Sequence, residues 1–151
     1  MTKIETLQNE YAEVRFIELN KEQFIYLVNL FPALRVVQSD GIVDHEEWAT
    51  VKHLAKILGN EFASEDLGEE KEENLMLIYK SEFRYLINSL DQWESKFLAA
   101  LKEYFDQNDA SKEFVLETMY LFAHASDGVS SEEHATIEYL TKELGLEDTV
   151  I

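Results

Sequence analysis

The sequence predicts an all-α protein, and three observations support this class. Only five glycines and one proline interrupt the 151 residues, whereas all-β domains need many turns. Apolar residues recur at helical spacing along most of the chain. Four of the expected helix starts carry a polar capping residue followed three positions later by Glu or Gln. We therefore expect about seven helices in a single domain that spans residues 1–151.

The first two helices are followed by a tight turn. An amphipathic stretch over residues 4–19 predicts the first helix. The second begins after Asn20, which forms a capping-box pair with Gln23, and ends at a Ser-Asp-Gly turn at residues 39–41. Pro32 lies inside this second helical pattern, so we expect a kink or a break there.

The third helix has clear limits on both sides. Asp44 is a natural N-cap, Glu47 completes its capping box, and Gly59 ends the helix. The acidic, glycine-containing residues 60–74 predict a loop that leads into the next helix.

Two helices are expected in the middle of the chain. Residues 75–90 have a helical pattern and predict the fourth helix. Asp91 and Glu94 predict a capping box for a fifth helix that runs to Phe105, with a turn at residues 107–110.

The last two helices flank a second Ser-Asp-Gly turn. Ser111 opens the sixth helix, which ends at the turn of residues 126–128. Ser130 and Glu133 predict a capping box at the start of the seventh helix, and Gly145 closes that helix.

The two Ser-Asp-Gly turns mark an internal repeat. Residues 39–59 read SDGIVDHEEWATVKHLAKILG and residues 126–145 read SDGVSSEEHATIEYLTKELG. With one extra residue in the first turn, eleven positions are identical. Each copy consists of a helix, an acidic turn and a second helix, so we place the repeat halves at about residues 24–59 and 111–146. The sequence therefore predicts a bundle that contains a duplicated helix–turn–helix.

The charge and the lack of cysteine limit which partners and which kinds of site the protein can have. The chain has 31 acidic and 13 basic residues, a net charge of −18, and no cysteine. Such a surface repels nucleic acid and anionic membranes, so cations and basic proteins are the expected partners. The lack of cysteine excludes disulfides and thiolate metal sites. We find no signal-peptide pattern and no apolar run of membrane-spanning length, and so expect a cytoplasmic protein.

The acids of the two turns have two interpretations, and the sequence leaves both open. They can cap the following helix and complement its dipole, which gives every turn acid a local role. They can also bind a divalent cation, because hard cations prefer clustered carboxylate oxygens. In that case the metal ligands are Asp40 with Glu47 in the first copy and Asp127 with Glu133 in the second.

Motifs of other site classes are absent from the sequence. An EF-hand loop aligned on either turn places Val36 or Ala123 at the first calcium ligand, which neither residue can provide. There is no His-Glu-x-x-His motif, no glycine-rich phosphate loop and no Gly-x-Ser-x-Gly elbow. The sequence therefore predicts that the protein is not an enzyme.

At its turns the sequence resembles the tellurite-resistance TerB family and the related TerB-like domain of membrane-anchored DnaJ-like proteins. The resemblance depends on residues 125–133, ASDGVSSEE, and on the Leu-Gly pair at residues 144–145. In the first copy it depends on residues 39–41, on Asp44 and Glu47, and on the Leu-Gly pair that ends at Gly59. The resemblance implies a compact helical domain with two repeats. It also implies an acidic, metal-binding surface formed by Asp40, Glu47, Asp127 and Glu133.

These inferences together predict a non-enzymatic cytoplasmic TerB-like module. It is expected to bind a divalent cation or a basic protein partner through its acidic turns, in the response to tellurite, metal or oxidant stress. The first alternative is a protein-interaction or scaffold domain without metal, in which the turn acids only cap helices. The second is a metal-dependent hydrolase that uses the same carboxylates.

Overall fold

The structure, a computed structural model, describes residues 2–17, 19–39, 48–49, 53, 68–124 and 129–149. These residues form α-helices and no strand, which confirms the all-α class. The helices are α1 (Lys3–Arg15), α2 (Lys21–Val37), α3 (Gly68–Ile87), α4 (Leu90–Phe105), α5 (Ser111–Ala123) and α6 (Ser131–Glu143). The helix predicted between Asp44 and Gly59 lies mostly outside the described residues, where only Trp48, Ala49 and His53 are described, all helical. The total of about seven helices therefore stays a prediction.

Helix α2 lies at the centre of the described helices. It contacts each of the other five, and its most extensive contact is with α5. From residue 27 to residue 37 nearly every side chain of α2 is buried, as expected for a helix that is apolar on all sides. Of the kink or break predicted at Pro32, the break does not occur, because α2 continues through that residue to Val37; the kink stays a prediction. Proline removes one backbone donor, and the packing on every side of the helix compensates for that loss.

An aromatic cluster holds α1, α2 and α4 together. The Phe97 ring of α4 stacks on Phe31 of α2 with 4.8 Å between centroids. It also meets the Tyr11 ring of α1 edge-on at 5.6 Å, and Tyr11 meets Trp93 at 5.0 Å. Phe24 completes the cluster, and all five side chains are almost fully buried. The N-terminal helix is thus part of the same core as the helices of the repeat.

The first helices of the two repeat copies pack directly against each other. These helices are α2 and α5, which precede the two Ser-Asp-Gly turns, and α6 packs on both of them. From the second helix of the first copy, Trp48 is partly buried against the core. The Arg84 guanidinium of α3 lies 4.7 Å from the centre of the Trp48 ring.

Capping at two helix starts is as the sequence predicts. Asn20 caps α2 with a complete capping box to Gln23, and Ser130 caps α6 with a complete box to Glu133. Gly145, after α6, has a φ of +69°, the left-handed conformation expected of a glycine that closes a helix.

Two predictions about helix starts are wrong. Helix α3 begins at Gly68, so the acidic segment that we expected to be a loop is helical from that residue on. Helix α4 begins at Leu90, and its N-cap Ser89 makes no side-chain capping bond. Asp91 therefore lies inside the first turn, and Glu94 accepts a hydrogen bond from Arg35 Nε at 2.6 Å instead of closing a capping box.

In the part of the chain that the structure describes, no helix has both the length and the apolar character that crossing a membrane requires.

Candidate functional site

Glu133 is the predicted metal ligand that the structure describes. Asp40, Glu47 and Asp127 lie outside the described residues. Glu133 is the third residue of α6, and its Oε1 accepts a hydrogen bond from the Ser130 backbone N–H at 3.0 Å. In return Ser130 Oγ accepts from the Glu133 N–H at 3.0 Å. One oxygen of Glu133 therefore has the capping role that the sequence predicts.

The second carboxylate oxygen of Glu133, Oε2, accepts no hydrogen bond from a described residue. The residue is only 3% exposed, and Oε2 is buried without a hydrogen bond to any described residue. A buried carboxylate oxygen is unfavourable unless it meets a donor or a cation. The positive end of the α6 dipole offsets part of this cost, since Glu133 lies in the first helical turn. The capping bond also fixes the direction in which Oε2 points.

Among the described residues, the other ionisable side chains near this helix start face the solvent. Glu132 is exposed and accepts a hydrogen bond from Ser131 Oγ at 3.3 Å. His134 pairs with Glu138 at 3.2 Å, and both side chains are more than 60% exposed. His124 is exposed and stacks on Tyr120. Of the described acids at the second turn, Glu133 is therefore the one whose carboxylate is buried.

A metal site cannot be assembled from described residues alone. Within the described ranges, no three His, Asp or Glu side chains converge closely enough to hold a metal ion. The predicted partners of Glu133 lie outside those ranges.

A buried polar network that sequence reasoning missed connects α1 with α3. Glu82 of α3 is 2% exposed. Its Oε1 accepts from Tyr11 Oη at 2.8 Å and from Arg15 Nε at 2.7 Å, and its Oε2 accepts from Arg15 Nη2 at 3.1 Å. The guanidinium also lies 3.9 Å from the centre of the Tyr85 ring, whose hydroxyl accepts from Trp93 Nε1 at 2.8 Å. Both Glu82 oxygens are paired, so this network stabilises the fold and offers no free group to a ligand.

Because of this network, we expect the protein to lose stability at alkaline pH. Burial, followed by the charge of Glu82 and its hydrogen bond, raises the pKa of Tyr11 far above its usual value of 10.0. In the unfolded chain Tyr11 loses its proton near pH 10, whereas in the folded protein it keeps it. We therefore expect stability to fall as the pH rises above about 10. Denaturant titrations between neutral pH and pH 11 will show a smaller decrease for Tyr11→Phe, and an equal decrease in both proteins would contradict this account.

Comparison with known proteins gives no further constraint. No family model, no curated protein and no solved structure matches this chain.

Proposed function

We propose that the protein is a non-enzymatic, TerB-like module that binds a divalent cation at its second acidic turn. The observation that supports this most is that Glu133 Oε2 is buried and has no hydrogen-bond partner among the described residues. Asp127, six positions earlier in the chain, is the proposed second ligand. Ca²⁺ and Mg²⁺ suit such a site because both prefer carboxylate oxygens.

The capping bond gives Glu133 a favourable starting geometry for this role. Oε1 is held by the Ser130 N–H, so the carboxylate cannot rotate freely. A ligand whose orientation is already fixed loses less conformational entropy when the ion binds. The net charge of −18 also raises the local concentration of cations around the protein.

The repeat extends the proposal to the first turn. Glu47 occupies the position that corresponds to Glu133, and Asp40 the position that corresponds to Asp127. We propose that this pair binds a second ion or contributes to a common acidic surface. A basic protein partner would bind to the same surface, and a role in tellurite, metal or oxidant stress in the cytoplasm remains part of this proposal.

Two substitutions at one capping box separate cation binding from capping. Glutamine also serves at the third position of a capping box, so Glu133→Gln keeps the bond to the Ser130 N–H but loses the charged oxygen. We expect its Ca²⁺ or Mg²⁺ affinity to fall at least about tenfold while its stability changes by less than about 1 kcal/mol. Ser130→Ala should lose about 1 kcal/mol of stability and keep its affinity within a few fold. Calorimetric titration and urea unfolding measure the two quantities.

The neighbouring carboxylate provides a matched control. Glu132→Gln removes the same charge from the adjacent, exposed residue, so we expect it to leave ion affinity nearly unchanged. If the wild type gives no saturable heat with Ca²⁺, Mg²⁺ or Zn²⁺, the cation proposal is wrong. It is equally wrong if Glu133→Gln, or Asp40→Asn combined with Asp127→Asn, binds as the wild type does.

A scaffold domain without metal is the second candidate function. The complete capping box between Ser130 and Glu133 favours it, because that box explains one carboxylate oxygen without any ion. In this case charge reversal of the turn acids would abolish the capture of a basic protein partner, and chelation of metal would have no effect on it.

A further inference from the structure

A groove beside α2 is lined in part by Asn29, whose side chain carries the second buried polar atom that has no partner among the described residues. The groove lies where α2, the end of α4 and the start of α5 meet, and it has a volume of about 470 Å³. Its lining includes Glu22, Ile25, Tyr26, Asn29, Tyr104 and Phe114. Four lining residues come from α2: Ile25 and Tyr26 are adjacent, and Glu22 and Asn29 each lie three or four positions from both. All four therefore lie on one side of the helix.

Asn29 is an unusual residue for the middle of a buried helix. It is 4% exposed, and its Nδ2 donates to the Ile25 carbonyl, one turn back, at 2.8 Å. Its Oδ1 is buried and accepts no hydrogen bond from any residue that the structure describes. Rotating the amide by half a turn would place Oδ1 against the Ile25 oxygen, so the bond to Ile25 fixes Oδ1 as the acceptor. A buried acceptor without a donor destabilises the protein, and such local costs are concentrated at functional sites.

The walls of the groove define what kind of molecule fits. The rings of Tyr26 and Phe114 meet edge-on at 6.4 Å, and both side chains are half-buried. Ile25 and Tyr104 are also half-buried and add apolar surface. Such walls favour a flat, apolar body.

The charges around the groove favour a cation over an anion. Glu22 is exposed and lies in the lining. An adjoining groove of about 490 Å³ shares Ile25 and Tyr104 and adds Glu103 and Asp106, against one lysine. Together with the net charge of −18, these acids attract positively charged molecules.

We propose that this groove binds a small arylalkylamine, with its ring against the aromatic walls and its ammonium group donating to Asn29 Oδ1. Glu22 supplies the opposite charge at the rim. Since Oδ1 is covered by the surrounding side chains, the ligand displaces a lining side chain, for which the half-buried Phe114 is suited. This site is separate from the cation site at Glu133 and does not depend on it.

Three probes of similar shape test the proposal on the wild-type protein. 2-Phenylethylamine carries an ammonium donor, 2-phenylethanol a neutral donor, and 3-phenylpropanoate an anion without a donor. In NMR titrations at millimolar concentrations, we expect saturable shifts of the Asn29 side-chain amide and the Phe114 backbone amide. The amine should bind tighter than the alcohol, and the carboxylate should bind weakest. No saturable shift with the amine, or equal binding of all three probes, would overturn the proposal.

A pair of asparagine variants tests the role of Oδ1. Asn29→Leu replaces the unpartnered acceptor with an apolar group of similar size. We expect amine affinity to fall at least about fivefold, while the denaturation midpoint of the unliganded protein stays constant or rises. Asn88→Leu is the matched control, because Asn88 makes the same bond to the carbonyl one turn back, Nδ2 to Arg84 O at 3.0 Å, on an exposed surface. It should not change amine binding.

Two results from these variants would contradict the role of Asn29. Unchanged amine binding in Asn29→Leu would show that Oδ1 is not the acceptor. A large decrease in the denaturation midpoint of Asn29→Leu, with an unchanged midpoint in Asn88→Leu, would show that the Asn29 side chain stabilises the unliganded fold.

Discussion

Phe97→Ala is expected to lower the free energy of unfolding by about 3–5 kcal/mol, the range for removing a large aromatic side chain from a core. Phe97 is fully buried and its ring contacts the rings of Tyr11, Phe24, Phe31 and Trp93. These residues belong to three helices, so the surrounding structure cannot collapse into the cavity without moving a whole helix. Urea or guanidinium unfolding followed by circular dichroism measures the loss.

Two further variants define how the Phe97 result is interpreted. Typical domains have a stability of about 5–15 kcal/mol, so Phe97→Ala leaves little net stability to measure if the wild type is at the low end. Phe97→Leu keeps part of the volume and should lose less, which keeps the comparison measurable. Leu121→Ala removes an apolar side chain that is 57% exposed and should change stability by about 0.5 kcal/mol or less. Similar losses for Phe97→Ala and Leu121→Ala would contradict the described packing of the core.

Capping boxes show both the reach and the limit of sequence reasoning. The boxes of α2 and α6 could be predicted because their two residues are three positions apart and interact only with each other. Asp91 and Glu94 have the same spacing, but Glu94 pairs with Arg35, 59 residues away. The helix also begins at the buried Leu90, one position before Asp91, so Asp91 cannot be its N-cap. A local pattern cannot show that a distant arginine competes for its glutamate.

Pro32 illustrates the same limit for a whole helix. The local rule predicts a kink or a break, since proline lacks a backbone donor. The helix continues because the side chains on both sides of Pro32 are buried, and their packing outweighs one lost hydrogen bond. The hydrophobic segment is visible in the sequence, but the helices that cover it are not.

Part of the candidate site could likewise be predicted and part could not. The capping role of Glu133 follows from its spacing to Ser130. The burial of its second oxygen, and of Asn29 Oδ1, depends on how helices pack. Glu82 carried no signal at all in a chain with 31 acidic residues, because its partners Tyr11 and Arg15 precede it by 71 and 67 positions.

Glu82→Ala should also destabilise the protein strongly, by about 3 kcal/mol or more. Removing one partner of a buried ion pair leaves the other charge uncompensated, and here the Tyr11 hydroxyl loses its acceptor as well. The Arg15 side chain is 26% exposed, so water compensates in part and the loss should lie near the lower end of the usual range of about 3–5 kcal/mol. Denaturant unfolding at neutral pH measures it.

A second Arg–Glu pair provides the control for burial. Arg35 and Glu94 have the same chemistry, with Nε to Oε1 at 2.6 Å, but both side chains are more than a quarter exposed. Glu94→Ala should therefore cost only about 1 kcal/mol or less. Equal losses for the two glutamate variants would show that burial does not determine the strength of the Glu82 network.

Replacing the whole network tests whether its role is structural. Tyr11→Phe, Arg15→Met and Glu82→Leu together leave no uncompensated polar group among these three residues, so the triple variant should recover most of the stability that Glu82→Ala loses. It should also keep the cation affinity of the wild type, because both Glu82 oxygens are already paired. A triple variant that folds stably but no longer binds Ca²⁺ or Mg²⁺ would show that this network takes part in cation binding. Glu133 and Asn29 differ from Glu82 in that each retains one buried oxygen with no partner in the described ranges, which is why ligand binding is proposed at those two residues.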